Sequence, residues 1–120
     1  MPQHPTASTA AQLAHRMATR LKMKHLLLLR SISELGTLTR VAERMATSQP
    51  AVTQALAELE SLFGAPLFLR SARGMEPTEL GALVLARARG MLADLDHWAH
   101  DIEAVGQQGA AHLQVGVIPF

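Results

Sequence analysis

Residues 48–64 read Ser-Gln-Pro-Ala-Val-Thr-Gln-Ala-Leu-Ala-Glu-Leu-Glu-Ser-Leu-Phe-Gly and carry the end signals of a single helix. Ser48 is a preferred N-cap residue, and Pro50 suits the first helical turn, where a missing N–H leaves no hydrogen bond unmade. Gly64 can adopt the left-handed conformation that ends a helix. These signals predict a helix between Ser48 and Gly64, against which the neighbouring segments can pack.

The two faces of this predicted helix differ in chemistry. One face is apolar, because four large side chains recur at spacings of four, three and four: Val52, Leu56, Leu59 and Phe63. The other face is short, uncharged and rich in hydrogen-bonding groups near its N-terminus: Gln49, Pro50, Thr53 and Gln54. An ordinary solvated face more often carries Lys and Glu pairs four residues apart. The slim polar face suits insertion into a DNA major groove; an amphipathic helix with a wet polar face is the alternative.

Two shorter helices are predicted before it. Residues 23–35 form the first, which Gly36 ends, and Thr37 caps the second, over residues 38–45. Their spacing predicts these buried side chains: Leu26, Leu29, Ile32, Leu38, Val41, Ala42 and Met45. Only residues 46 and 47 separate the second helix from the cap of the third. Two helices joined by so short a turn form a helix-turn-helix pattern, which many helical bundles share.

The segment after Gly64 is predicted to be a β-hairpin. Residues 66–70, Pro-Leu-Phe-Leu-Arg, are apolar and extended, and residues 71–74, Ser-Ala-Arg-Gly, supply the turn. Arg70 and Arg73 stand at the shoulders of that turn. A hairpin in this position is the wing of a winged helix, and its arginines suit a DNA minor groove or a phosphate strand. Two arginines on a solvated turn are the alternative.

A long helix is predicted from its cap Thr78 to about Val105, weakened only slightly by Gly81 and Gly90. A seam of apolar side chains repeats at alternating spacings of four and three: Val84, Ala88, Met91, Leu95, Trp98, Ile102 and Val105. Such a helix reaches about 42 Å, and the small head before it can bury little of that length. The seam therefore predicts a partner helix. A second copy of the chain is the simplest partner, and a helical protein-interaction module acting through residues 84–105 is the alternative.

The two ends of the chain are predicted to lie outside this arrangement. Residues 1–10 contain two prolines and no periodicity, which is typical of a disordered tail. Residues 11–22 are either a basic helical arm that touches phosphates or a floppy extension. Residues 106–112 are predicted to be a flexible hinge, and residues 112–118 alternate as a strand does. Since a lone strand is not a folding unit, it is interpreted as the first strand of a domain that the chain does not contain.

Composition argues against several classes of function. The chain has no cysteine, so neither disulfides nor thiolate metal sites can hold it together. No serine, histidine and acid stand at nucleophile spacing, so neither enzyme activity nor a cofactor is expected. No apolar run approaches the ~18 residues of a membrane span. Four side chains of the long helix could offer ligands to a metal, but they are interpreted as its solvated flank: Asp94, His97, His100 and Asp101.

Charge separates the two parts of the chain. Residues 1–75 hold nine Lys and Arg against four acids, whereas residues 76–120 hold two against six. The overall net charge of +1 hides this division. A basic first part joined to an acidic second part indicates that only the first part meets a polyanion.

Six ordered pieces of the chain resemble one family. They are Thr-Leu-Thr-Arg-Val-Ala-Glu-Arg-Met at 37–45, Ser-Gln-Pro-Ala-Val-Thr at 48–53, Leu-Glu at 59–60, Phe-Gly at 63–64, Leu-Phe-Leu-Arg at 67–70 and Pro-Thr-Glu-Leu-Gly at 77–81. Over about residues 23–118 the chain resembles the amino-terminal region of LysR-type transcriptional regulators. The resemblance implies a mainly α fold, with a winged helix-turn-helix head, a small β-hairpin wing and a long dimerising linker helix.

The resemblance also implies a domain organisation. Residues 1–22 would be a flexible basic N-terminal extension, longer than the family usually shows, and residues 23–77 the DNA-binding domain. Residues 78–105 would be the linker and dimerisation helix. Residues 106–120 would be the hinge and first strand of an absent effector-binding domain.

Roles carry over from the family residue by residue. The base-contacting positions are Gln49, Pro50, Thr53 and Gln54, and some members carry an arginine where Gln54 stands. The phosphate-contacting hydroxyls are Thr39, Thr47 and Ser48, and the wing residues are Arg70 and Arg73. The implied partners are double-stranded DNA, read as an interrupted palindrome, and a second copy in a homodimer, or a tetramer in the full-length protein. A small-molecule effector would act only through the absent C-terminal domain. No membrane is implied, and a bacterial cytoplasm is the expected location.

Overall fold

The computed structural model describes residues 9–108, which form five α-helices and one two-stranded antiparallel sheet. In chain order the elements are α1 (Ala10–Arg20), α2 (Met23–Leu35), α3 (Leu38–Arg44), α4 (Gln49–Phe63), β1 (Phe68–Ser71), β2 (Gly74–Pro77) and α5 (Glu79–Gln108). The mainly α fold with a hairpin after the helix-turn-helix, predicted from the sequence, is confirmed. The predicted tail at residues 1–8 and the predicted strand at residues 112–118 lie outside the described residues.

Local signals set the ends of α2, α3 and α4, as predicted. Gly36 and Gly64 end α2 and α4 in the left-handed conformation. The hydroxyl oxygens of Thr37 and Ser48 accept a first-turn N–H at 3.3 Å and 3.2 Å, which caps α3 and α4. Between these helices Ala46 has a φ of 55°, a left-handed conformation that costs a residue with a Cβ about 1 kcal/mol. The α3–α4 turn is thus held in place by the helices that it joins.

One apolar core joins α2, α3, α4, β1 and α5. Its buried side chains are Leu26, Leu28, Leu29, Ile32, Leu38, Val41, Ala42, Val52, Leu56, Leu59, Leu62, Leu67, Phe68, Leu85, Ala88 and Leu92. The spacing predicts Phe63 as the fourth core residue of α4, but the structure buries Leu62 and leaves Phe63 only partly buried. Met45 is also only partly buried. Both exceptions stand at a helix C-terminus: Phe63 is the last residue of α4, and Met45 is the C-cap of α3. At helix ends, the periodic pattern predicts the buried face least reliably.

The predicted hairpin is present and is fixed to the head at its base. Its strands pair in the register Phe68 with Pro77 and Ser71 with Gly74, so that residues 72 and 73 form the turn. The N–H of Met75 donates to the carbonyl oxygen of Gly36 at 3.0 Å. Gly74 lies so close to the same carbonyl that a Cβ would stand 2.7 Å from the oxygen. The wing is therefore held against the turn between α2 and α3.

α5 starts against the hairpin and continues as a single helix to Gln108. Thr78 caps it: its Oγ1 accepts the Gly81 N–H at 2.9 Å, while the Thr78 N–H donates to the carbonyl oxygen of Leu67 at 2.9 Å. A Cβ at Gly81 would lie 1.8 Å from that Leu67 oxygen, so only glycine fits where the helix passes the residue before β1. Glycine was predicted to weaken the helix slightly at this position. The structure shows why it is nevertheless needed: the helix and the Leu67 backbone lie too close together for a side chain.

The end of α5 differs from the prediction. The helix passes the predicted end at Val105 and includes residues 106–108, which were assigned to the hinge. Gly106 does not stop it, because one glycine costs a helix only about 1 kcal/mol and removes no hydrogen bond. Any hinge would therefore begin at residue 109 or later, outside the described residues.

α1 precedes the helix-turn-helix and lies against α4. Thr9 and Gln12 form a capping box, in which each side chain accepts the other residue's N–H at 3.0 Å and 2.9 Å. Leu13 and Met17 on one side of α1 line an apolar cleft together with Val84 of α5. Of the two interpretations of residues 11–22, the structure agrees with the helical arm, because Ala10–Arg20 form a helix. The contact of this arm with phosphates stays a prediction.

Candidate nucleic-acid interface

The polar face at the start of α4 is exposed along its whole length. Ser48, Gln49, Pro50, Thr53 and Gln54 are all exposed, and no other described element covers them. The reason is the helical period: the same two turns bury Val52 and Leu56 on the opposite side. The predicted base-contacting residues thus stand together on one projecting surface.

Hydrogen bonds order the two glutamines of this face. The Nε2 of Gln49 donates to the Thr53 hydroxyl at 3.2 Å, and the Nε2 of Gln54 donates to a Glu58 carboxylate oxygen at 3.3 Å. Both pairs are four residues apart, so each amide lies along the helix surface. Each amide keeps its carbonyl oxygen and one N–H available, but the Gln54 amide is held more strongly, because its acceptor is a charged carboxylate. Glu58 also places a negative charge at the middle of α4, which the sequence pattern of the polar face does not indicate.

The hydroxyl groups predicted to contact phosphates stand in two places, the turn before α4 and the first turn of α3. Thr47 and Ser48 are exposed in the turn before α4. Thr39 is exposed in the first turn of α3. The Ser48 hydroxyl already accepts the Ala51 N–H, but it can still donate its own proton to an external acceptor. Thr47 and Ser48 therefore directly precede the polar face of α4, and Thr39 is exposed on the other helix of the helix-turn-helix.

The two arginines of the hairpin are both exposed, but they differ in their surroundings. Arg70 lies in β1, opposite Met75 of β2. Arg73 lies in the turn, where its Nε is 3.3 Å from a carboxylate oxygen of Glu76. An exposed pair of this kind contributes little to stability, and the arginine can exchange it for another anion. The backbone N–H of Arg73 donates to the Ser71 hydroxyl at 3.1 Å, which orders the turn that presents it.

Glu60 joins α4 to the wing, a contact that the sequence did not predict. One oxygen of its carboxylate accepts the N–H of Leu67 at 2.7 Å and that of Phe68 at 3.3 Å. Hydrogen bonds to a charged acceptor are the strong ones, and these two are partly buried. The polar face of α4 and the hairpin are consequently held in a fixed relation. The helical pattern does not predict this contact, because a glutamate four residues before the helix-ending Gly64 is expected to face solvent. In the sequence, Glu60 stands out only as part of the Leu-Glu piece of the family resemblance.

A basic cleft runs beside α4, on the side of α1 and the start of α2. Lys24, Thr47 and Ala51 line one part of it, and Arg20 and Lys22 line another. None of these lysines or Arg20 was among the predicted site residues. The available signal was the basic character of residues 11–22, predicted to be either an arm that touches phosphates or a floppy extension, which does not indicate the cleft beside α4.

His25 stands at the back of this cleft in its neutral form. Its Nδ1 accepts the N–H of Lys22 at 2.9 Å, so the ring carries its proton on Nε2. Burial, and after it the positive charges of Lys22 and Lys24, lower the pKa of His25 below its ordinary value of 6.5, although Glu58 acts in the opposite direction. At neutral pH the positive charge of the cleft therefore comes from its lysines and arginine.

The predicted seam of α5 divides into a packed part and an exposed part. Ala88 is 1% exposed within its own chain and Val84 is partly buried, so Ala88 in particular is a core residue and not a free seam residue. The reason is that the head-facing stripe of α5, Gly81, Leu85, Ala88 and Leu92, shares Ala88 with the seam. The remaining seam residues are exposed large apolar side chains, between 42% and 70% accessible: Met91, Leu95, Trp98, Ile102 and Val105.

The polar flank of α5 does not gather its ligand-type side chains. The Nδ1 of His100 lies 2.8 Å from the backbone oxygen of Asp96, one turn earlier. Within residues 9–108, no three histidines or acids come close enough to hold a metal ion. In the same described segment, no helix is both long and apolar enough to cross a lipid bilayer.

Comparison with known proteins connects this geometry to a family. Residues 23–82 match the family described as "Bacterial regulatory helix-turn-helix protein, lysR family". The chain is 38% identical over 96 residues to the small neutral protease regulatory protein of Streptomyces coelicolor, covering 80% of this chain and 29% of that protein. It is 46% identical over 65 residues to the transcriptional regulator GalR of Pseudomonas putida, covering 54% of this chain and 16% of that protein. The chain thus spans less than a third of the length of these regulators.

The fold is also similar to that of solved DNA-binding domains. The crystal structure of the CbnR DNA-binding domain in complex with DNA superimposes with a TM-score of 0.65 and 29% sequence identity. The match covers 72% of this chain and 99% of that chain. The winged helix-turn-helix and the hairpin described above are therefore shared with a domain that was solved bound to DNA.

Proposed function

The chain belongs to the lysR family of bacterial regulatory helix-turn-helix proteins, which are DNA-binding transcriptional regulators, and we propose that it reads its operator through α4. The observation that carries this proposal is the exposed polar face of α4. Gln49 and Thr53 project from the same turns that Val52 and Leu56 hold in the core. A helix held in this way can enter a major groove without any rearrangement of the head. We refer to α4 below as the recognition helix.

Gln49 and Gln54 are proposed to read bases. A glutamine amide can donate and accept at once, which matches the N6 and N7 edge of adenine in the major groove. Each such pair is worth about 1–3 kcal/mol of discrimination against the wrong base. Gln49 is the better placed of the two, since its amide is held only by Thr53, whereas the Gln54 amide is paired with the charged Glu58. Pro50 and Thr53 complete the surface as groups small enough to approach the bases.

The remaining site residues are proposed to set the register of the head on the duplex. Thr39, Thr47 and Ser48 would donate hydroxyl hydrogen bonds to phosphates beside the recognition helix. Arg70 and Arg73 of the wing would bind a second stretch of backbone or a narrow minor groove. Arg73 would leave Glu76 for this contact, at little cost because the pair is exposed. These contacts add affinity without base preference.

A homodimer formed through α5 is proposed to place two heads on an interrupted palindrome. The supporting observation is the row of exposed apolar side chains from Met91 to Val105, which no described residue of the same chain covers. Water-exposed apolar rows of this length mark interaction sites, and a parallel or antiparallel helix pair would bury them. Two heads held apart by helices of about 45 Å would meet separated half-sites.

The regulatory part of the protein is proposed to lie outside this chain. Because the relatives are more than three times longer than the matched segment, a C-terminal domain that binds a small-molecule effector would follow residue 108. The DNA-binding domain would then comprise residues 23–77, the linker helix would follow, and the protein would act in the bacterial cytoplasm.

Fluorescence anisotropy tests the proposed function. The chain is titrated against labelled DNA from the intergenic region upstream of its own gene and against a scrambled duplex, at several salt concentrations. We expect tighter binding to the native duplex and a linear fall of log affinity with log salt. Gln49→Ala should reduce the preference for the native duplex by about 5- to 150-fold, which corresponds to 1–3 kcal/mol. Gln107→Ala, the same change at the distal end of α5, is the matched control and should change nothing.

Two results would contradict the proposal. Equal affinity of the wild-type chain for both duplexes would remove sequence-specific reading by the recognition helix. Sedimentation equilibrium distinguishes a homodimer from a module that binds a different helical partner. We expect a particle that contains two 12.9 kDa chains. A folded monomer would instead favour a different helical partner for α5.

A further inference from the structure

α1 brings basic side chains to the recognition helix from outside the family-matched segment, which begins at residue 23. The apolar side of α1 fixes its position, since Leu13 and Met17 line a cleft with Val84 and α1 lies against α4. The same orientation places Arg20 at the last turn of α1 and Lys22 in the junction to α2, and both side chains are exposed. The arm is thus a packed part of the head that presents cations at a defined place.

These cations line a groove along the recognition helix. Arg20, Lys22 and Lys24 form one wall of a cleft of about 520 Å³, and the α4 segment from Ala55 to Leu62 forms the other. A second cleft of about 300 Å³ shares Lys24 and Ala55 with the first and extends to Thr47, at the start of α4. The two clefts together make one strip that follows the recognition helix. We name Arg20, Lys22 and Lys24 the basic flank.

The charge of this strip suits an anion. Three exposed cations face a single acid, Glu58, whose carboxylate is engaged by the Gln54 amide. His25 contributes no charge at neutral pH, for the reason given above. Thr47, proposed to meet a phosphate, lies at one end of the strip, so a chain of phosphates that passes Thr47 would continue past Lys24 to Arg20.

The basic flank and the wing lie at opposite ends of α2. Lys24 is in the first turn of α2, whereas the wing is bonded to Gly36 just beyond its last turn. Twelve residues of helix separate these points by about 18 Å. A recognition helix in a major groove about 12 Å wide has one phosphate strand on each side. The head therefore presents one basic element for each border of the groove.

We propose that the basic flank binds the phosphate strand on the side of the major groove opposite the wing, so that α1 extends the DNA footprint beyond that of the family-matched head. The proposal rests on the proposed function, because it requires the recognition helix to lie in the groove. It concerns affinity and salt dependence alone, since phosphates carry no sequence information.

The test is the salt dependence of DNA binding by the double variant Arg20→Gln/Lys22→Gln. Each lost phosphate contact lowers the slope of log affinity against log salt by about 0.9, so the double variant should lose about 1.8. At 0.1 M salt this corresponds to affinity about 60-fold weaker than wild type, equally for the native and the scrambled duplex. The matched control is Arg30→Gln/Arg89→Gln, which removes two positive charges where α2 and α5 meet, away from both basic clefts and from the apolar cleft that seats α1. Circular dichroism should show the same melting for the wild type and the flank variant.

The outcomes separate this proposal from the function on which it rests. A wild-type slope in the flank variant, together with lost specificity in Gln49→Ala, would overturn the basic flank and leave the recognition helix in place. A slope reduced equally in both double variants would also overturn it, because the effect would then be one of net charge. Since the scrambled duplex reports phosphate contacts by itself, the flank is tested even if the native duplex is not preferred; no binding to either duplex would remove both proposals.

Discussion

The two halves of α5 belong to one unbroken helix but have opposite surroundings. In the first half, Gly81, Leu85, Ala88 and Leu92 are buried against the head. In the second half, from residue 93 to residue 108, no side chain of this described segment is buried, although Trp98 and Ile102 are as apolar as the residues before them. The head-facing stripe therefore serves folding at one end of the helix, whereas the seam is left as an unpartnered surface at the other. Periodicity shows that a face will be buried, and only the lengths of the neighbouring elements show what buries it.

Two glycines of α5, Gly81 and Gly90, show most clearly how the surroundings change along the helix. Gly81 lies against the backbone of Leu67, whereas Gly90, nine residues later on the same helix, has no atom within 4 Å of its would-be Cβ. One glycine is required by a contact and the other only lowers the helix propensity. Paired substitutions in the two halves can therefore break or sharpen the comparison.

The largest effect is expected for Gly81→Ala. The new methyl group would stand 1.8 Å from the Leu67 carbonyl oxygen, and because that atom belongs to the backbone, α5 would have to move away from β1. We expect a loss of at least about 4 kcal/mol in the free energy of unfolding, above the roughly 1–3 kcal/mol typical of overpacking, because the clash is with backbone. Urea denaturation measures it. A stability within 1 kcal/mol of wild type would mean that the first half of α5 is not fixed to the hairpin.

The second largest effect is expected for Leu85→Ala. Leu85 is 5% exposed in the core, so the substitution removes buried surface and leaves a cavity. A loss of about 3 kcal/mol is expected in the same denaturation experiment. Leu95→Ala is the matched change in the second half, and at concentrations where the chain is monomeric it should cost less than about 1 kcal/mol. Equal costs for the two leucines would contradict the division of α5.

The third effect concerns the second half alone. If the exposed row pairs with a second copy, Trp98→Ala should weaken the dimer by about 2 kcal/mol, or about 30-fold in dissociation constant, because large aromatic residues dominate such interfaces. Sedimentation equilibrium over a range of concentrations measures this. Unfolding of the monomer should remain unchanged, since Trp98 is 64% exposed in the isolated chain. An unaltered dimer would place the interface elsewhere.

A smaller effect of opposite sign is expected for Gly90→Ala. Alanine favours a helix over glycine by about 1 kcal/mol, and open space surrounds this position. The melting temperature should therefore rise, in direct contrast to Gly81→Ala. A fall in the melting temperature would reveal a close neighbour of Gly90. If that neighbour is a second chain, the fall should disappear on dilution, because the two chains then separate.

The smallest effect is expected from pH and tests the head to which the first half of α5 is attached. The pKa of His25 is lowered in the folded state, so between this pKa and 6.5 the unfolded chain binds more protons. Stability should thus be complete above pH 6.5 and decline as the pH falls through 6.5 towards the lowered value. Thermal melting at pH 7.5 and pH 5.5 measures the decline. His25→Gln, which can still accept the Lys22 N–H, should show less of it, and an identical decline would assign it to other groups.

Local chemistry accounts for what the sequence predicted correctly. The caps Thr37 and Ser48 and the stops Gly36 and Gly64 act within one helical turn, so the residue types alone specify them. Two of the features that were not predicted depend on residues beyond the element in which they lie. Gly81 is required by Leu67, and Glu60 serves two N–H groups beyond the end of its own helix.

The candidate site was predictable to a similar extent. The polar face of α4 follows from spacing, and the structure places all its residues on one exposed surface. The basic arm was one of two predictions for residues 11–22, but its place beside α4 was not predictable, because Lys24 and Thr47 line one cleft only after α2 and α4 have packed. Likewise, the burial of Ala88 depends on where the head ends along α5, which no periodicity in α5 contains.

The bonds from Glu60 to Leu67 and Phe68 have a consequence for the kind of DNA that the head can accept. Together with the bond from Met75 to Gly36, they restrict the translation and the rotation between the recognition helix and the wing. In B-DNA, the step from a major groove to the adjacent minor groove varies with helical twist and with groove width. A head with adjustable spacing would tolerate that variation, whereas a rigid one engages both grooves only when the duplex has the matching twist. Base pairs that neither part touches would then contribute to operator choice through the twist that they impose.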